Sequence, residues 1–493
     1  MPAGGPLALL GALVAGIFAG DRLGPGPAHG ALVVGAATAV VAFAVRGRAG
    51  IVLGMAGIAA LGGAVTQRAH DGLAHSPLTA AVDARDRATI TGALVDDPDG
   101  TRFTARVRVR VDEITAGNAP GSEGVPGGGR TVFVTAGGDA GSRLRLLSAG
   151  DRVELDGWLS PLAGADRRLR WRHAVGRFDA VELVSFREPS SPLLRVANGL
   201  RALVLRGGHH LPSTDRAVLA GFLLGDTRGV PYTVEAEFRA AGLTHLLAVS
   251  GANVAFVLAL VAPALRRLGL RGRLTTGLAV LVVFGTMTRW EPSVLRACAM
   301  AACSMTALYL GRPAAGLRVL ALAAIALLLA DPFLLHSIGF LLSCGASAGI
   351  TLLAARLSVR LPGPAWARAG LGVTLAAQIG VAPVILPVFG SLPLVALPAN
   401  LVAVPLAAPL TVWGLVSGVA GGIVGRGWPG LAGALQVPTL LLVRAVLAVA
   451  AVAGRVPLAV DDRAAWAIVA VAALVAARRR RSTLRRDGLV PAR

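Results

Sequence analysis

The segment that decides the fold class is GLTHLLAVSGANVAFVLALVAPAL, residues 242–265. It begins as a polar, turn-forming stretch and continues as an apolar run of the kind that enters a membrane. His245, Ser250, Gly251 and Asn253 lie at the start of that run. Polar side chains are costly in lipid and usually face protein or a water-filled path, so this segment is the first candidate for a functional site. It contains no carboxylate to orient His245, which disfavours a hydrolytic dyad with Ser250.

The composition of the chain is typical of a polytopic membrane protein. Of its 493 residues, 54% are hydrophobic and only 15% are charged. All 48 basic residues are arginine, and the net charge of +21 has an ordinary explanation because cytoplasmic loops collect basic residues for membrane insertion alone. Cys298, Cys303 and Cys344 lie in apolar segments without metal-ligand spacing. We therefore expect no metal site and no cofactor.

Hydropathy divides the chain into regions of different character. Short alternating segments bounded by turn residues follow the first three apolar runs, and they indicate an all-β domain best matched by an OB-like barrel. The positions of the basic turns place this domain outside the cytoplasm and both termini inside it, with about twelve transmembrane helices in all. The predicted regions are 1–67 (N-terminal transmembrane helices), 76–188 (extracytoplasmic OB-like β-domain), 193–241 (interfacial amphipathic helices), 242–477 (transmembrane domain) and 478–493 (basic cytoplasmic tail).

Two runs of arginine stand out in the predicted β-domain. In residues 103–111, Arg106, Arg108 and Arg110 alternate with apolar residues, so the period of a strand places the three guanidinium groups on the solvent face. In residues 167–173 the same alternation sets Arg168, Arg170 and Arg172 against Leu169 and Trp171. Arginine rows beside a tryptophan suit an OB surface that follows a phosphate backbone and stacks a base. The alternative is a solvated strand face that nearby carboxylates neutralise.

Further candidates are polar residues in or beside the apolar segments. Charges at such positions are functional or paired structural groups by default, whereas amides either line a path or form hydrogen bonds between helices. A proline-rich run, residues 386–409, predicts a broken or re-entrant helix of the kind that lines a path. The individual candidates are Asp226, Arg228, Arg296, Asp331, Gln378 and Asn400.

Five segments, in their order and spacing, resemble the competence domain of the ComEC family of DNA-uptake channel proteins, and the preceding β-domain resembles the OB-like domain of that family. The segments are GFLLGDTRG (221–229), FRAAGLTHLLAVSGANV (238–254), EPSVLRACAM (291–300), DPFLLHSIGFLLSCGASAGI (331–350) and AQIGVAPVILPVFGSLPLVALPANLVAVPL (377–406). The family's usual central motif has a His where Asn253 stands. An amide supports hydrogen bonding but does not carry over a proton-handling role.

The resemblance implies an inner-membrane channel that passes single-stranded transforming DNA into the cytoplasm of a bacterium during natural competence. Among the charges in or beside the membrane segments, we expect Arg296 to face the DNA path. Many family members end in a metallo-β-lactamase-like domain, and the eight His here form no HxHxDH cluster, so we expect a short form without that domain. No GxxxxGK[ST] sequence occurs either, and we expect no enzymatic activity.

The partners follow from the same resemblance. Besides single-stranded DNA and membrane lipid, we expect a membrane DNA receptor, a separate nuclease, and a cytoplasmic ATP-driven motor or strand-binding protein. The alternative function is a secondary transporter for another polyanion or a small solute, in which the β-domain is a binding module.

Overall fold

A computed structural model describes residues 5–26, 28–45, 47–101, 103–116, 124–312, 315–456 and 459–461. The last predicted transmembrane segment, at residues 464–477, and the predicted basic tail lie outside the described residues. The chain folds into two compact units. The larger is formed by residues 1–229, 248–340 and 411–440, and the smaller by residues 230–247, 341–410 and 441–493.

Three helices open the larger unit: α1 (Gly5–Leu23), α2 (His29–Ala44) and α3 (Arg48–Ala74). Helix α3 packs on both others, and glycines allow the close approach. A Cβ on Gly16 of α1 would collide with the carbonyl of Ala59. The three helices occupy the three predicted apolar runs.

A closed sheet follows, preceded by the short helix α4 (Pro77–Ala84). The alternating sequence segments form five main strands, as predicted, and β1 pairs with both β2 and β5 so that the sheet closes into a barrel. The barrel order is β1-β5-β6-β4-β2, with β4 and β6 parallel and the other pairs antiparallel. The elements are β1 (Arg87–Leu94), β2 (Thr104–Ala116), β3 (Val125–Pro126), β4 (Thr131–Gly137), α5 (Gly138–Leu144), β5 (Arg152–Pro161) and β6 (Ala174–Arg187).

The core of the barrel is built by the alternation that the sequence shows. Val107 and Val109 of β2 are buried together with Ile90, Leu155 and Phe178 from the neighbouring strands. Buried and outward-facing residues alternate along β1 and β4, and the alternation in β5 and β6 is interrupted where the pairing has register shifts. Phe103, which shares the parity of the buried valines, precedes β2 and is exposed.

One segment of the β-domain differs from its predicted structure. Residues Gly164–Arg172 form a 3₁₀ helix and not a strand. The segment is bounded by positive φ angles, +54° at Gly164 and +61° at His173, which are incompatible with extended backbone. In a 3₁₀ helix side chains repeat every three residues, so Arg168, Arg170 and Arg172 do not share one face.

The rest of the larger unit is helical. Val249, Val254, Leu281, Phe284 and Val294 form an apolar cluster between α10, α11 and α12. The helices are α6 (Pro192–Gly207), a short 3₁₀ helix (Gly208–His210), α7 (Ser213–Leu224), α10 (Gly251–Leu265), α11 (Leu270–Met287), α12 (Pro292–Tyr309) and α13 (Gly316–Ala330). A third 3₁₀ helix (Pro332–His336) follows, and then α14 (Ile338–Ser358), which continues into the smaller unit.

The smaller unit contains most of α14, and Gly345 and Gly349 let it approach Gly380 of α15 closely. The predicted proline-rich run is broken: α15 ends at Phe389, and α16 begins at Ala396. Re-entry of this run into the membrane stays a prediction. The elements are α8 (Tyr232–Ala240), α9 (Thr244–Leu247), α15 (Ala365–Phe389), β7 (Ser391–Pro393), β8 (Ala459–Asp461), and parts of α16 (Ala396–Val424) and α17 (Pro429–Gly454), whose remainders belong to the larger unit.

Seven helices of the described chain are long and apolar enough to cross a membrane, and three shorter apolar helices accompany them. Length and composition therefore make this a multi-pass membrane protein. The number of about twelve spans stays a prediction.

Candidate functional site

The segment of residues 242–265 is not one continuous helix, because it is interrupted where its polar residues lie. Helix α9 ends at Leu247, Ser250 is extended, and α10 begins at Gly251. Ser250, Gly251 and Asn253 therefore lie at the first turn of α10 in the larger unit. His245 lies in α9 of the smaller unit with an exposed side chain.

Asn253 is the centre of a small polar cluster. Its side chain is buried, with 6% of the residue exposed, and its Nδ2 donates a hydrogen bond to the carbonyl of Phe222 at 2.8 Å. Its Oδ1 accepts from the hydroxyls of Ser250 at 3.3 Å and Thr411 at 3.5 Å. Both ends of the amide are used, so Asn253 ties α10 to α7 and α16.

Arg296 of α12 lies against the same turn. The residue is buried, and a Cβ on Gly251 would collide with its guanidinium group. Ser293, one turn earlier, donates from its hydroxyl to the carbonyl of Val249 at 2.6 Å. The predicted motif residues Ser250, Gly251 and Arg296 are thus brought together.

A second cluster joins the β-domain to the helices, and Asp97 in the β1–β2 connection is its centre. Arg289 contacts Oδ1 of Asp97 through Nε at 3.0 Å and through NH2 at 2.6 Å, and NH2 of Arg201 contacts Oδ2 at 2.7 Å. Burial alone would raise the pKa of Asp97, but the charges of Arg201 and Arg289 and the hydrogen bond from Arg289 outweigh it and lower the pKa to about 2. The carboxylate stays charged at physiological pH.

The predicted residues Asp226 and Arg228 belong to this Asp97 cluster. Arg228 forms two hydrogen bonds with Asp226, at 2.8 and 2.6 Å, and donates to the carbonyl of Pro98 at 3.2 Å. Arg201 also donates to the carbonyls of Leu224 and Met287. Asp226 and Arg228 are therefore paired structural charges.

The sequence analysis missed Asp97, Arg201 and Arg289. Arg201 gave a signal, because it is a charge within the apolar stretch LRALVL of an amphipathic helix. Its partners include Asp97, which lies 104 residues upstream, and the carbonyl of Met287 at the end of α11, and no local pattern connects them.

The first predicted arginine row is confirmed as an outward face of β2. Arg106 and Arg110 are exposed, and Arg108 is half-buried. Arg108 forms two hydrogen bonds with Asp96, both at 2.6 Å, and donates to the carbonyl of Arg172 at 3.2 Å. Arg108 thus matches the neutralised strand face that the sequence analysis left open, whereas Arg106 and Arg110 pair with no carboxylate among the described residues.

Residues from both predicted rows meet at one cleft of about 290 Å³. Arg108 and Arg110 come from β2, and Arg172 comes from the end of the first 3₁₀ helix. Arg130, which the sequence analysis missed, completes the set from the turn before β4. We call this the arginine cleft; its remaining lining residues are Val95, Gly129, Thr131 and His173. Arg106, Arg168 and Arg170 lie outside its lining.

Trp171 is engaged by protein groups. Its ring stacks on His336 at a centroid distance of 3.7 Å and meets Phe333 edge-on at 5.3 Å, and the guanidinium group of Arg170 lies 4.8 Å from it. His336 and His70 each bond one oxygen of Asp21, at 2.9 and 3.0 Å. The ring packs the 3₁₀ helix Gly164–Arg172 onto the 3₁₀ helix Pro332–His336 and onto His70 of α3, which limits its use as a stacking platform.

Of the remaining candidates, Asp331 lies beside the arginine cleft, because it pairs with the lining residue His173 at 3.1 Å. Asp331 also caps the 3₁₀ helix Pro332–His336 through the amide of Phe333. In the smaller unit Gln378 is half-buried, and Asn400 is buried with no described partner for its Oδ1. Within the described residues, no three His, Cys, Asp or Glu side chains are placed to hold a metal ion.

Comparison with known proteins identifies the relatives of this chain. Residues 222–480, just over half of the chain, match the family model described as Competence protein. ComE operon protein 3 of Bacillus subtilis (strain 168) is 25% identical over 254 residues, which are 50% of this chain and 32% of the relative. Uncharacterized protein YcaI of Escherichia coli (strain K12) is 31% identical over 216 residues, which are 40% of this chain and 28% of the relative.

These matches span about a third of the length of each curated relative. No solved structure matches the chain significantly. The family match covers the helices that hold the Asn253 cluster, and it begins at Phe222, whose carbonyl Asn253 binds. The chain therefore belongs to the competence protein family.

Proposed function

We propose that this chain is a membrane channel that admits single-stranded DNA into the cytoplasm during natural competence, without catalysing a reaction itself. Membership in the competence protein family supports a role in DNA uptake. Helices of membrane-spanning length support transport across a bilayer.

One observation carries the proposal. Within a single compact unit, a barrel with arginines on its outer face is fixed through Asp97 to Arg201 of α6 and to Arg289, which lies between α11 and α12 in the family-matched region. Arginine suits a phosphate backbone because its planar guanidinium group forms paired hydrogen bonds with phosphate oxygens. A strand bound on the barrel is thereby delivered next to the helices that would carry it.

The architecture of the β-domain supports this assignment. Five strands close a barrel, β4 and β6 run parallel, and α5 lies between β4 and β5. We assign it as an OB-like barrel, an architecture that binds oligonucleotides on the face of its second and third strands. Here the corresponding main strands are β2 and β4, and both contribute to the arginine cleft.

The membrane placement follows from the arginine distribution. We assign the protein to the bacterial inner membrane, with both termini in the cytoplasm and the β-domain outside it, because this arrangement puts the basic turns inside. A DNA receptor would deliver the strand, a separate nuclease would remove its complement, and a cytoplasmic motor or strand-binding protein would supply the driving force.

The test is deletion of the gene in its own host, followed by exposure of the cells to labelled double-stranded DNA. We expect nuclease-protected label in the cytoplasm to disappear and to return when the intact gene is supplied. A deletion strain that internalises DNA normally would refute the channel. If such a strain instead fails to accumulate a small anion or solute, the transporter alternative is supported.

A further inference from the structure

The arginine cleft has an excess of positive charge. Four arginines line a volume of about 290 Å³, at the small end of the range for ligand pockets. Among the described residues the only carboxylate in ion-pair contact with any of them is Asp96, which pairs with Arg108. Glu291 lies within electrostatic reach of Arg172 and Arg108 but forms no ion pair with them. Like charges gathered in one cleft repel each other, and a bound anion would relieve that repulsion.

The four arginines divide into two roles. Arg108 is satisfied: it holds both oxygens of Asp96 and the carbonyl at the end of the 3₁₀ helix. It thereby fixes the position of Arg172. The guanidinium groups of Arg110, Arg130 and Arg172 have no carboxylate partner in the described chain.

The backbone around Arg130 is shaped for close approach. Gly128 and Gly129 precede it at φ angles of +61° and +67°, which side chains rarely allow. Gly129 lines the cleft, and the guanidinium group of Arg130 lies across Gly72 of α3. The absence of side chains at these glycines leaves room for a ligand beside Arg130.

We propose that the arginine cleft binds a phosphate group of a DNA backbone, held by Arg110, Arg130 and Arg172, with Arg108 as a positioning residue. That the bound phosphate group belongs to DNA rests on the proposed function. The one aromatic ring among the lining residues of the cleft is that of His173, which pairs with Asp331 and lies against Phe333, and Trp171 packs against His336. The cleft therefore recognises the phosphate group and not the bases, so its binding is independent of nucleotide sequence.

The test uses the full chain in lipid nanodiscs and two fluorescent probes of equal length. One is oligothymidylate, and the other is an abasic oligomer with the same phosphates and no bases. The variants are Arg110→Ala and Arg130→Ala, and the control is Arg143→Ala, which removes the same charge from α5 outside the cleft. Anisotropy is measured over a series of salt concentrations, and a thermal melt checks that each variant is folded.

We expect both probes to bind the wild type with similar affinity. Each cleft variant should weaken binding by about tenfold and reduce the slope of log affinity against log salt by about one contact. Arg143→Ala should match the wild type.

Three outcomes would overturn the proposal. If the cleft variants and Arg143→Ala behave alike, the cleft is not the site, and the channel still stands as long as gene deletion abolishes uptake. Loss of binding to the abasic probe alone would show base recognition. If neither oligomer binds and the occupancy of the cleft instead rises with the anionic lipid content of the nanodisc, the cleft is a lipid headgroup site.

Discussion

The Asp97 cluster and the arginine cleft are both built from arginines of the same compact unit, and they differ in how many carboxylates accompany them. In the Asp97 cluster Arg201, Arg228 and Arg289 share Asp97 and Asp226, and the side chain of Arg201 is only 6% exposed. In the cleft, Arg108 alone of the four arginines pairs with a carboxylate among the described residues, that of Asp96. A buried guanidinium group must be paired in the folded protein, whereas one at an open cleft can remain unpaired until an anion arrives.

The difference assigns opposite roles to the same residue type. In the Asp97 cluster the ion pairs are fully formed without a ligand, so they stabilise the contact between the barrel and the helices. In the cleft the arginines without a carboxylate partner among the described residues are available for binding. Substitutions in the first should therefore change stability, and those in the second should change affinity.

The largest effect is expected for Asp97→Ala. Removing this carboxylate leaves Arg201 and Arg289 buried without their main partner, which should lower the free energy of unfolding by about 3–5 kcal/mol. Urea denaturation of the detergent-solubilised chain, followed by tryptophan fluorescence, measures this loss. Asp139→Ala is the control, because Asp139 is 86% exposed and 4.0 Å from Arg143. Equal stability of the two variants would contradict the buried-pair interpretation.

An acid titration should show the contribution of the same carboxylate. Because Arg201 and Arg289 lower the pKa of Asp97 to about 2, its stabilising effect is complete above its ordinary pKa of 3.8 and is lost as the pH falls through 2. The difference in unfolding free energy between wild type and Asp97→Asn should be constant above about pH 5. It should shrink by about 2 kcal/mol as the pH falls to 2.

The comparison with Asp97→Asn isolates Asp97, since Asp226 and the other carboxylates titrate in both proteins. A difference that stays constant down to pH 2 would show that the Asp97 carboxylate is not held by its arginines. The measurement is urea denaturation at each pH.

Much of the barrel could be predicted from the sequence, whereas the Asp97 cluster and the assembly of the arginine cleft could not. Strand β2 was predictable because Val107 and Val109 alternate with arginine, and burial on one side of a barrel requires that alternation. The segment with Trp171 shows the limit, because its alternation is real but the positive φ angles at its ends impose a 3₁₀ helix. Arg130 follows a glycine turn without any pattern and reaches the cleft only through the pairing of β2 with β4.

The membrane region shows the same division. The polar residues around the start of α10 were identified from the sequence. The hydrogen bonds of Asn253 to Phe222 and Thr411 were not, because they depend on helix packing over long sequence separations.

Adding a carboxylate to the arginine cleft should stabilise the folded protein and weaken its binding of oligonucleotides. Thr131 lies directly opposite Arg110 in the β2–β4 pairing and lines the cleft, so Thr131→Glu supplies the missing carboxylate. We expect a gain of about 0.2–1 kcal/mol in unfolding free energy from the cross-strand pair and a loss of oligonucleotide binding. Thr131→Gln has the same shape without the charge and is the control. Undiminished binding by the Glu variant would place the phosphate elsewhere.

The smallest effect is expected for Asp112→Ala. This variant separates the contribution of ion pairing to the free energy of unfolding from that of burial. Asp112 of β2 and Arg152 of β5 form an ion pair at 2.7 Å, as short as the Arg201–Asp97 pair, yet both side chains are more than 40% exposed. Water screens exposed charges, so we expect a loss of only about 0–1 kcal/mol in the same denaturation assay. If this loss equalled that of Asp97→Ala, pairing alone would decide stability and burial would not distinguish the clusters. A small loss would show that the Asp97 cluster stabilises the protein because it is buried. It would also show that exposed arginines, such as those of the cleft, can lack a carboxylate partner at little cost to the free energy of unfolding.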